Sequence, residues 1–272
     1  MNTILLANET LRLAPCLWQD IESEVAGHIE GNRITVDSFW EDHILSSQHY
    51  KITLESGSFV GFFAIHDKKM LTLFHIEPIY GHLSQLLFER IKRYEQVTHA
   101  FIPTGDEQFL SLALDNYVRL EKQAYFSIYT QRAIKSSRLM PVILKEIKTE
   151  QDTKRLDIAG DFFDEETSKR IIAGSAYLKV YAVEAPDSGV LIGFGVVEYG
   201  RVDSGIASIG MYVCEQFRQQ GYGGTILETL KKRVEEKGLV AHSGCWYYNH
   251  NSLKSMERAG AYSKTRLLKI FF

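Results

Sequence analysis

Ser208–Gly238 reads SIGMYVCEQFRQQGYGGTILETLKKRVEEKG, and its interpretation decides the fold. It opens with Ile209-Gly210-Met211-Tyr212-Val213, whose bulky positions alternate as a half-buried strand requires. A polar turn, Cys214–Gln216, comes next, and then Arg218-Gln219-Gln220-Gly221-Tyr222-Gly223-Gly224. From there the pattern becomes helical. Ile226, Leu227, Leu230 and Val234 share one face, while Glu228, Lys231, Lys232, Glu235 and Glu236 fall elsewhere. Glu228 and Lys232 stand at i and i+4 with the acid first, the favourable order, and Gly238 suits the position after the helix end. The stretch predicts strand, glycine turn, helix.

A glycine turn that opens a helix leaves several backbone N–H groups pointing outward. The helix end adds roughly half a positive charge, so the turn suits an anion such as a pyrophosphate. Glycine lets the backbone approach phosphate oxygens because no Cβ intervenes. A P-loop would need Gly-x-x-x-x-Gly-Lys-Ser/Thr, and that lysine is missing. The dinucleotide fingerprint would need a third glycine where Ile226 stands, and a first glycine directly after a strand. The pattern that fits is Arg/Gln-x-x-Gly-x-Gly/Ala, as Arg218-x-x-Gly221-x-Gly223.

That pattern resembles the GNAT superfamily of acyl-CoA-dependent N-acyltransferases, and the residues C-terminal to it strengthen the match. Leu239–Trp246 reads as a short strand. Asn249-His-Asn-Ser252-Leu-Lys-Ser255-Met256-Glu-Arg-Ala-Gly260-Ala261 then meets the family's Asn-x-x-Ala/Ser, short helix, glycine motif at Asn249, Ser252 and Gly260. Ala261 stands where the family usually has an aromatic residue. The two motifs cover roughly the C-terminal half of the chain. The resemblance implies acetyl-CoA as cofactor, with Arg218, Gln219, Gln220, Gly221, Tyr222, Gly223 and Gly224 at its pyrophosphate. It places pantetheine along Met211, Tyr212 and Val213, near Asn249 and Ser252. No metal is called for.

The chemistry implied is acyl transfer from a thioester to an amine. It needs a polarised carbonyl, a base for the ammonium and a donor for the leaving thiolate. A backbone N–H near Val213 or Cys214 is the expected polarising group. The acidic position of one branch of the family falls on Ala207, so that assignment does not transfer. Glu198 at a strand end is the first candidate base, followed by Asp203 and His242. Glu198 can also be read as a solvated strand end, and His242 as a structural histidine. The family's donor tyrosine falls on Met256, which cannot donate a proton, and this leaves Tyr248 or Tyr247, with Tyr212 also near in sequence. Trp246-Tyr247-Tyr248 can line an acceptor pocket or pack a core. Cys214 and Cys245 lack an accompanying histidine–acid pattern, which disfavours covalent catalysis.

At 272 residues the chain fits two domains of ordinary size. With 45% hydrophobic and 24% charged residues it is globular, and a net charge of −3 gives no footprint for nucleic acid. Lys231-Lys232-Arg233 is balanced by Glu235 and Glu236. Three widely spaced cysteines suggest reduced thiols. Met1–Ala7 is too short for a signal peptide, and no apolar run reaches the roughly 18 residues of a membrane span. The expectation is a cytoplasmic protein with no membrane partner.

Along the chain, helices are expected at Glu9–His28, from Asp37, at His82–Arg93, at Phe109–Leu120, at Thr149–Phe163 and at Glu165–Ala173. Strands are expected at His49–Leu54, Ser58–His66, Met70–Ile76, Ala100–Pro103, Ala124–Tyr129, Tyr177–Glu184, Val190–Glu198 and Ala261–Phe272. Ala185-Pro-Asp-Ser-Gly189 signals a hairpin. Ala133–Leu144 reads as a linker. The order of elements repeats, which suggests duplication. Residues 1–136 would be a degenerate GNAT-like half, because Glu77-Pro78-Ile79-Tyr80-Gly81-His82 replaces the arginine-glycine turn. Residues 139–272 would be the domain with the coenzyme A site. The expected fold is α/β (mixed α+β), two domains each with a mixed, mostly antiparallel twisted sheet flanked by helices. The expected function is acetyl transfer to the primary amine of a small molecule by direct attack, in a monomer with internal pseudo-symmetry or in a homodimer. The alternative is a non-catalytic acyl-CoA-binding regulatory module.

Overall fold

In the computed structural model, residues 2–5, 10–93, 96–130 and 139–272 are described. They form two units. The first comprises Met1–Ala124 with Thr265–Phe272, and the second Tyr125–Lys264. This division differs from the expected 1–136 and 139–272, because the last eight residues complete the sheet of the first unit. The first part of the expected linker, 133–138, lies outside the described residues.

The first unit contains β1 (Asn2–Leu5), β2 (Thr10–Cys16), α1 (Glu22–Gly31), α2 (Ser38–Leu45), β3 (Gln48–Leu54), β4 (Phe59–His66) and β5 (Met70–Ile76). Next come α3 (Ser84–Lys92), β6 (His99–Pro103), α4 (Glu107–Leu114) and the start of β7 (Arg119–Tyr129). Its sheet runs β1-β2-β3-β4-β5-β6 and then the final strand of the chain, Ala261–Phe271. β1 to β5 are antiparallel neighbours. β5 and β6 run parallel, and the final strand pairs antiparallel to β6 from Leu267↔Pro103 to Phe271↔His99.

Two expected helices are shorter than predicted. Residues 10–16 form a strand, because Leu11 and Leu13 are buried on one face while Arg12 points out. Pro15 could not donate a helical hydrogen bond there. The helix expected at Phe109–Leu120 stops at Leu114, and the Val118 N–H instead donates to the Phe271 carbonyl at 2.8 Å. Asp37 and Asp106 cap α2 and α4, accepting from the amides of Phe39 and Phe109.

Three histidines of the first unit are held neutral. Burial, then Lys269 and Lys69, pushes His99 down to about 4. Burial and the neighbouring His28 lower His75 against the pull of Glu77 and Asp106. Burial lowers His49 against its bond to the Ile44 carbonyl. An unfolded histidine titrates near about 6.5, so the unfolded chain takes up protons first as pH falls. The stabilisation is full above that pH and is lost as pH drops toward about 4. His99 is partly exposed, so its share is on the order of 1 kcal/mol after screening. Protection factors of the β6 amides, corrected for intrinsic exchange at each pH, are expected to fall between about pH 7 and 4.5, and His99→Asn to flatten that dependence. An equally steep profile in the variant would show that His99 is not a source.

The second unit contains residues 125–129 of β7, β8 (Ile143–Glu146), α5 (Glu150–Thr153), a 3-10 segment (Lys154–Phe162), α6 (Glu165–Ile172), β9 (Leu178–Glu184) and β10 (Leu191–Tyr199). Then come β11 (Ile206–Val213), a 3-10 turn (Glu215–Phe217), α7 (Tyr222–Glu235), β12 (Val240–Trp246), α8 (His250–Arg258) and residues 261–264 of β13 (Ala261–Phe271). The strand order is β7-β12-β11-β10-β9-β8. On one face Val183, Val197 and Ile209 pack with Ile226, Leu230 and Val234 of α7. On the other, Val180, Ala182 and Phe194 pack with Leu156, Ala159 and Ile171. The helix expected over Thr149–Phe163 breaks into α5 and the 3-10 segment, with Gly160 at φ +55°.

The two units repeat each other in detail. Gly61 of β4 and Gly193 of β10 each lie where a Cβ would collide with a carbonyl of the next strand, that of His75 or of Tyr212. One residue past β5 and β11, the N–H groups of Glu77 and Cys214 donate to Val60 and Ile192, each at 2.9 Å. Asp106 and Asn249 cap the corresponding helices α4 and α8. The copies diverge where β5 and β11 end. In the first, the Gln108 amide clamps Ile76, accepting from its N–H at 3.0 Å and donating to its carbonyl at 3.1 Å. The turn after it, Pro78–Leu83, has no residue with positive φ.

Candidate active site

β11 and β12 lie parallel and pair only at Ile206↔Val240, Ala207↔Ala241 and Ser208↔His242. The partner of β11 on its other side, β10, stays in register through Gly193↔Val213. Backbone groups alternate along a strand. The Cys214 N–H points to β10, where it donates to Ile192 at 2.9 Å, and Ile209, Met211 and Val213 therefore point the other way. Ser243 wedges this opening: its hydroxyl donates to the Ile209 carbonyl at 2.8 Å and lies 2.8 Å from the Tyr129 hydroxyl. Burial raises the Tyr129 phenol well above its usual range, opposed by the Ser243 hydrogen bond, so it stays protonated and structural.

Past Ser208 the β12 side of β11 thus presents the backbone of Met211 and Val213. Of the two expected polarising groups, Val213 remains; Cys214 is excluded because its N–H is already bonded to β10. The Val213 carbonyl accepts from Arg218 Nε at 3.1 Å, and the guanidinium carbon sits 5.8 Å from the centre of the Tyr212 ring. Arg218 therefore braces the end of the strand.

The turn then reverses direction. Gln219 has φ +63° and Gly221 φ +96°, a left-handed conformation that glycine adopts without strain. The Gln220 side-chain amide donates to the Gln216 carbonyl at 2.8 Å. Gly221 caps α7, and the first intrahelical bond is Thr225 N–H to Gly221 at 3.2 Å. The amides of Tyr222, Gly223 and Gly224 precede that bond and have no intrahelical acceptor. A Cβ on Gly221 would meet nothing within 4 Å, whereas one on Gly223 would lie 3.0 Å from Ser255 Oγ and 3.4 Å from Met211 Cε. Gly221 is thus required by its conformation, and Gly223 by the close approach of α7 to α8.

Asn249 and Ser252 lie at the start of α8, where the Asn249 side chain accepts from the Ser252 N–H at 3.1 Å. Met256, where the family's tyrosine falls, is 3% exposed and part of the core. Tyr247 stacks on Tyr125 with centroids 4.7 Å apart, and Tyr248 packs edge-on to Trp246 and Tyr247. Tyr248 and Trp246 are exposed. Glu198 pairs with Ser208 across β10 and β11 at the mouth of the opening. Its carboxylate meets Arg170 Nη1 of α6 at 3.3 Å, with both side chains about three-quarters buried. Asp203 accepts from the Gly205 N–H at 2.9 Å and forms a turn, and His242 is buried.

An acyl-CoA fits this arrangement: helix-start amides without intrahelical acceptors for a pyrophosphate, an open strand edge for an amide-bearing arm, and open space where a Cβ on Gly221 would stand. Tyr129, Ser243 and Arg170 are missing from the residues singled out by sequence. Ser243 lies inside a strand of small residues, and its partner Tyr129 is 114 positions away.

The comparisons agree with this architecture. Residues 18–130 match the family described as Acetyltransferase (GNAT) domain, and residues 144–261 match the Acetyltransferase (GNAT) family. An acetyltransferase from the GNAT family of Colwellia psychrerythraea is similar in structure, with TM-score 0.80 and 18% identity over 96% of this chain and 99% of that one. A GCN5-related N-acetyltransferase from Sphaerobacter thermophilus has TM-score 0.66 and 13% identity, covering 96% and 94%. A tandem GNAT protein from the clavulanic acid biosynthesis pathway has TM-score 0.53 and 11% identity, covering 96% and 97%. Comparison with curated protein sequences returns no match. Among the described residues no helix is long and apolar enough to cross a membrane. With one matching domain in each half, the chain belongs to the GNAT acetyltransferases and is a tandem member of that family.

Proposed function

We propose that the second unit transfers an acetyl group from acetyl-CoA to the primary amine of a small molecule by direct attack. The observation that carries this reading is the opening between β11 and β12, which ends at the left-handed Gly221 and the free amides of α7. Gly221, Tyr222, Gly223 and Gly224 would hold the pyrophosphate through backbone N–H groups, with Arg218, Gln219 and Gln220 shaping the turn. Met211, Tyr212 and Val213 would flank the pantetheine arm, with Asn249 and Ser252 opposite. The cofactor supplies an activated acyl thioester. Glu198 takes the ammonium proton, and the freed amine attacks the carbonyl. The C–N bond forms, the C–S bond breaks and the second amine proton leaves with the thiolate as thiol, while a backbone N–H on the open edge of β11, that of Met211 or Val213, stabilises the oxygen. The first unit lacks this equipment, since Gln108 occupies the backbone of Ile76.

Tyr248 is the proposed proton donor to the departing thiolate. Its hydroxyl is exposed beside the start of α8, whereas Tyr247 is stacked on Tyr125. A thiol of pKa near about 8.5 leaves readily even unassisted, so the donor's effect falls at or below the low end of the usual range. Tyr248→Phe is expected to lower kcat about tenfold to a hundredfold, measured by thiol release from acetyl-CoA with a panel of primary amines. Tyr247→Phe is expected to change it little. Parent-like turnover in both would remove the tyrosine donor. Met256→Tyr is no substitute test, because a larger side chain would overpack that core position. Buried Met256 also supports a second reading, a regulatory module that binds acetyl-CoA without turnover. Tight binding with no thiol release from any amine would favour it.

A further inference from the structure

On the sheet face away from α7, Glu198, Val196 and Phe194 of β10 lie opposite Ser208, Gly210 and Tyr212 of β11. Cross-strand partners point to the same face, so these six residues form one strip, about 13 Å long at about 3.3 Å per residue. At one end Glu198 Oε1 meets Arg170 Nη1 at 3.3 Å. At the other, the Tyr212 hydroxyl donates to the Ile158 carbonyl at 3.2 Å and the ring sits 5.5 Å from that of Phe162. Between them Val196 and Gly210 are only half-buried. A Cβ added to Gly210 would meet nothing nearer than Val196 Cβ at 3.9 Å. Phe194 is fully buried against Leu156, Ala159 and Ile171, so the accessible part of the strip is a shallow stretch over Val196 and Gly210, with an ion pair at one end and Tyr212 and Phe162 at the other.

The ion pair is incomplete. A guanidinium carries five N–H donors, and among the described residues Arg170 hydrogen-bonds only one oxygen of Glu198. A cation this close to the proposed base repels a simple ammonium ion but suits an acceptor that brings its own anion. An α-amino acid presents an ammonium group and a carboxylate on one carbon, matching the adjacent Glu198 and Arg170. Resting on the acetyltransfer reading, we infer that the acceptor is an α-amino acid with a free carboxylate and an apolar or aromatic side chain. Arg170 binds the carboxylate, Glu198 the amino group, and the side chain lies over Gly210 toward Tyr212 and Phe162.

The test is thiol release from acetyl-CoA with L-phenylalanine, its methyl ester, phenethylamine and glycine, within a broad panel of primary amines. Phenylalanine is expected to exceed the ester and phenethylamine in kcat/KM by about tenfold or more, the scale of a charge-assisted hydrogen bond. Arg170→Gln should collapse that ratio, chiefly through the KM for phenylalanine, and Arg170→Lys should restore part of it. Gly210→Val should penalise phenylalanine more than glycine by filling that stretch. Phenethylamine equal to phenylalanine, or an Arg170→Gln effect of the same size on both, would overturn the inference and leave acetyltransfer standing. No thiol release with any amine would remove acetyltransfer and this inference together.

Discussion

Gly221→Asp is expected to lower the affinity for acetyl-CoA by at least about a hundredfold while leaving the fold intact. The residue has φ +96°, and a Cβ there projects into open space ahead of α7. The added carboxylate would stand in the region proposed for the pyrophosphate. A unit charge about 5 Å away costs about 3 kcal/mol at an effective dielectric of about 20, which is about a hundredfold in affinity. The stability change is small by comparison: a non-glycine residue in the left-handed region costs about 1–2 kcal/mol, and aspartate recovers part of that as a helix cap. Gly221→Ala carries the conformational cost without the charge and separates the two effects. Titration calorimetry on the parent should give one site per chain, because the first unit's equivalent backbone is clamped by Gln108. Two sites, or unchanged affinity in Gly221→Asp, would remove the assignment.

Glu198→Gln carries the second large effect. Losing a general base is expected to reduce turnover by about 10²–10⁴-fold, with the affinity for acetyl-CoA within a factor of about three. The fold should tolerate the change. Both side chains of the Arg170–Glu198 pair are about three-quarters buried, but the amide of Glu198→Gln keeps an oxygen that can accept from Arg170, so the cost is on the order of 1–2 kcal/mol. A melting temperature close to the parent's, acetyl-CoA binding preserved by calorimetry and thiol release nearly abolished would together identify a base. Undiminished thiol release would show that Glu198 serves only as the partner of Arg170, and Asp203 could not replace it, since its carboxylate shapes the turn at Gly205.

Signals in the sequence are legible where they act locally. The apolar stripe Ile226, Leu227, Leu230 and Val234 is buried, and a helix begins right after Asp37, which caps it. The hairpin at Ala185–Gly189 closes with Gly189 N–H to Ala185 and Ala185 N–H to Val190. Pairings fixed by distant residues are not legible. Residues 10–16 show two leucines and a proline, and pairing with β1 and β3 makes a strand of that. β8 begins in the last two residues of the stretch that reads as a linker and is defined by β9. Glu198 stands out by its place at a strand end, but Arg170, 28 residues earlier, is linked to it only by the packing of α6. The donor position misleads: Met256 faces the core, so its identity reports packing as much as chemistry.

The exchange of terminal strands has a consequence during synthesis. The sheet edge at β6 is covered by Leu267–Phe271, and the pairing there joins residues as far apart as Phe271 and His99. On the ribosome, the first unit emerges with that edge bare and remains so until translation has passed the final strand. A bare edge is a template for pairing with other chains, and closing so long a loop is slow. The second unit is bound to the same order from the other side, since it draws Tyr125–Tyr129, including the hydroxyl that holds Ser243, from ahead of the segment expected as a linker. A cut in that segment therefore yields no autonomous half. The chain carries two domains of one family, and the sheet of the first stays open to pairing with other chains until Leu267–Phe271 has been made.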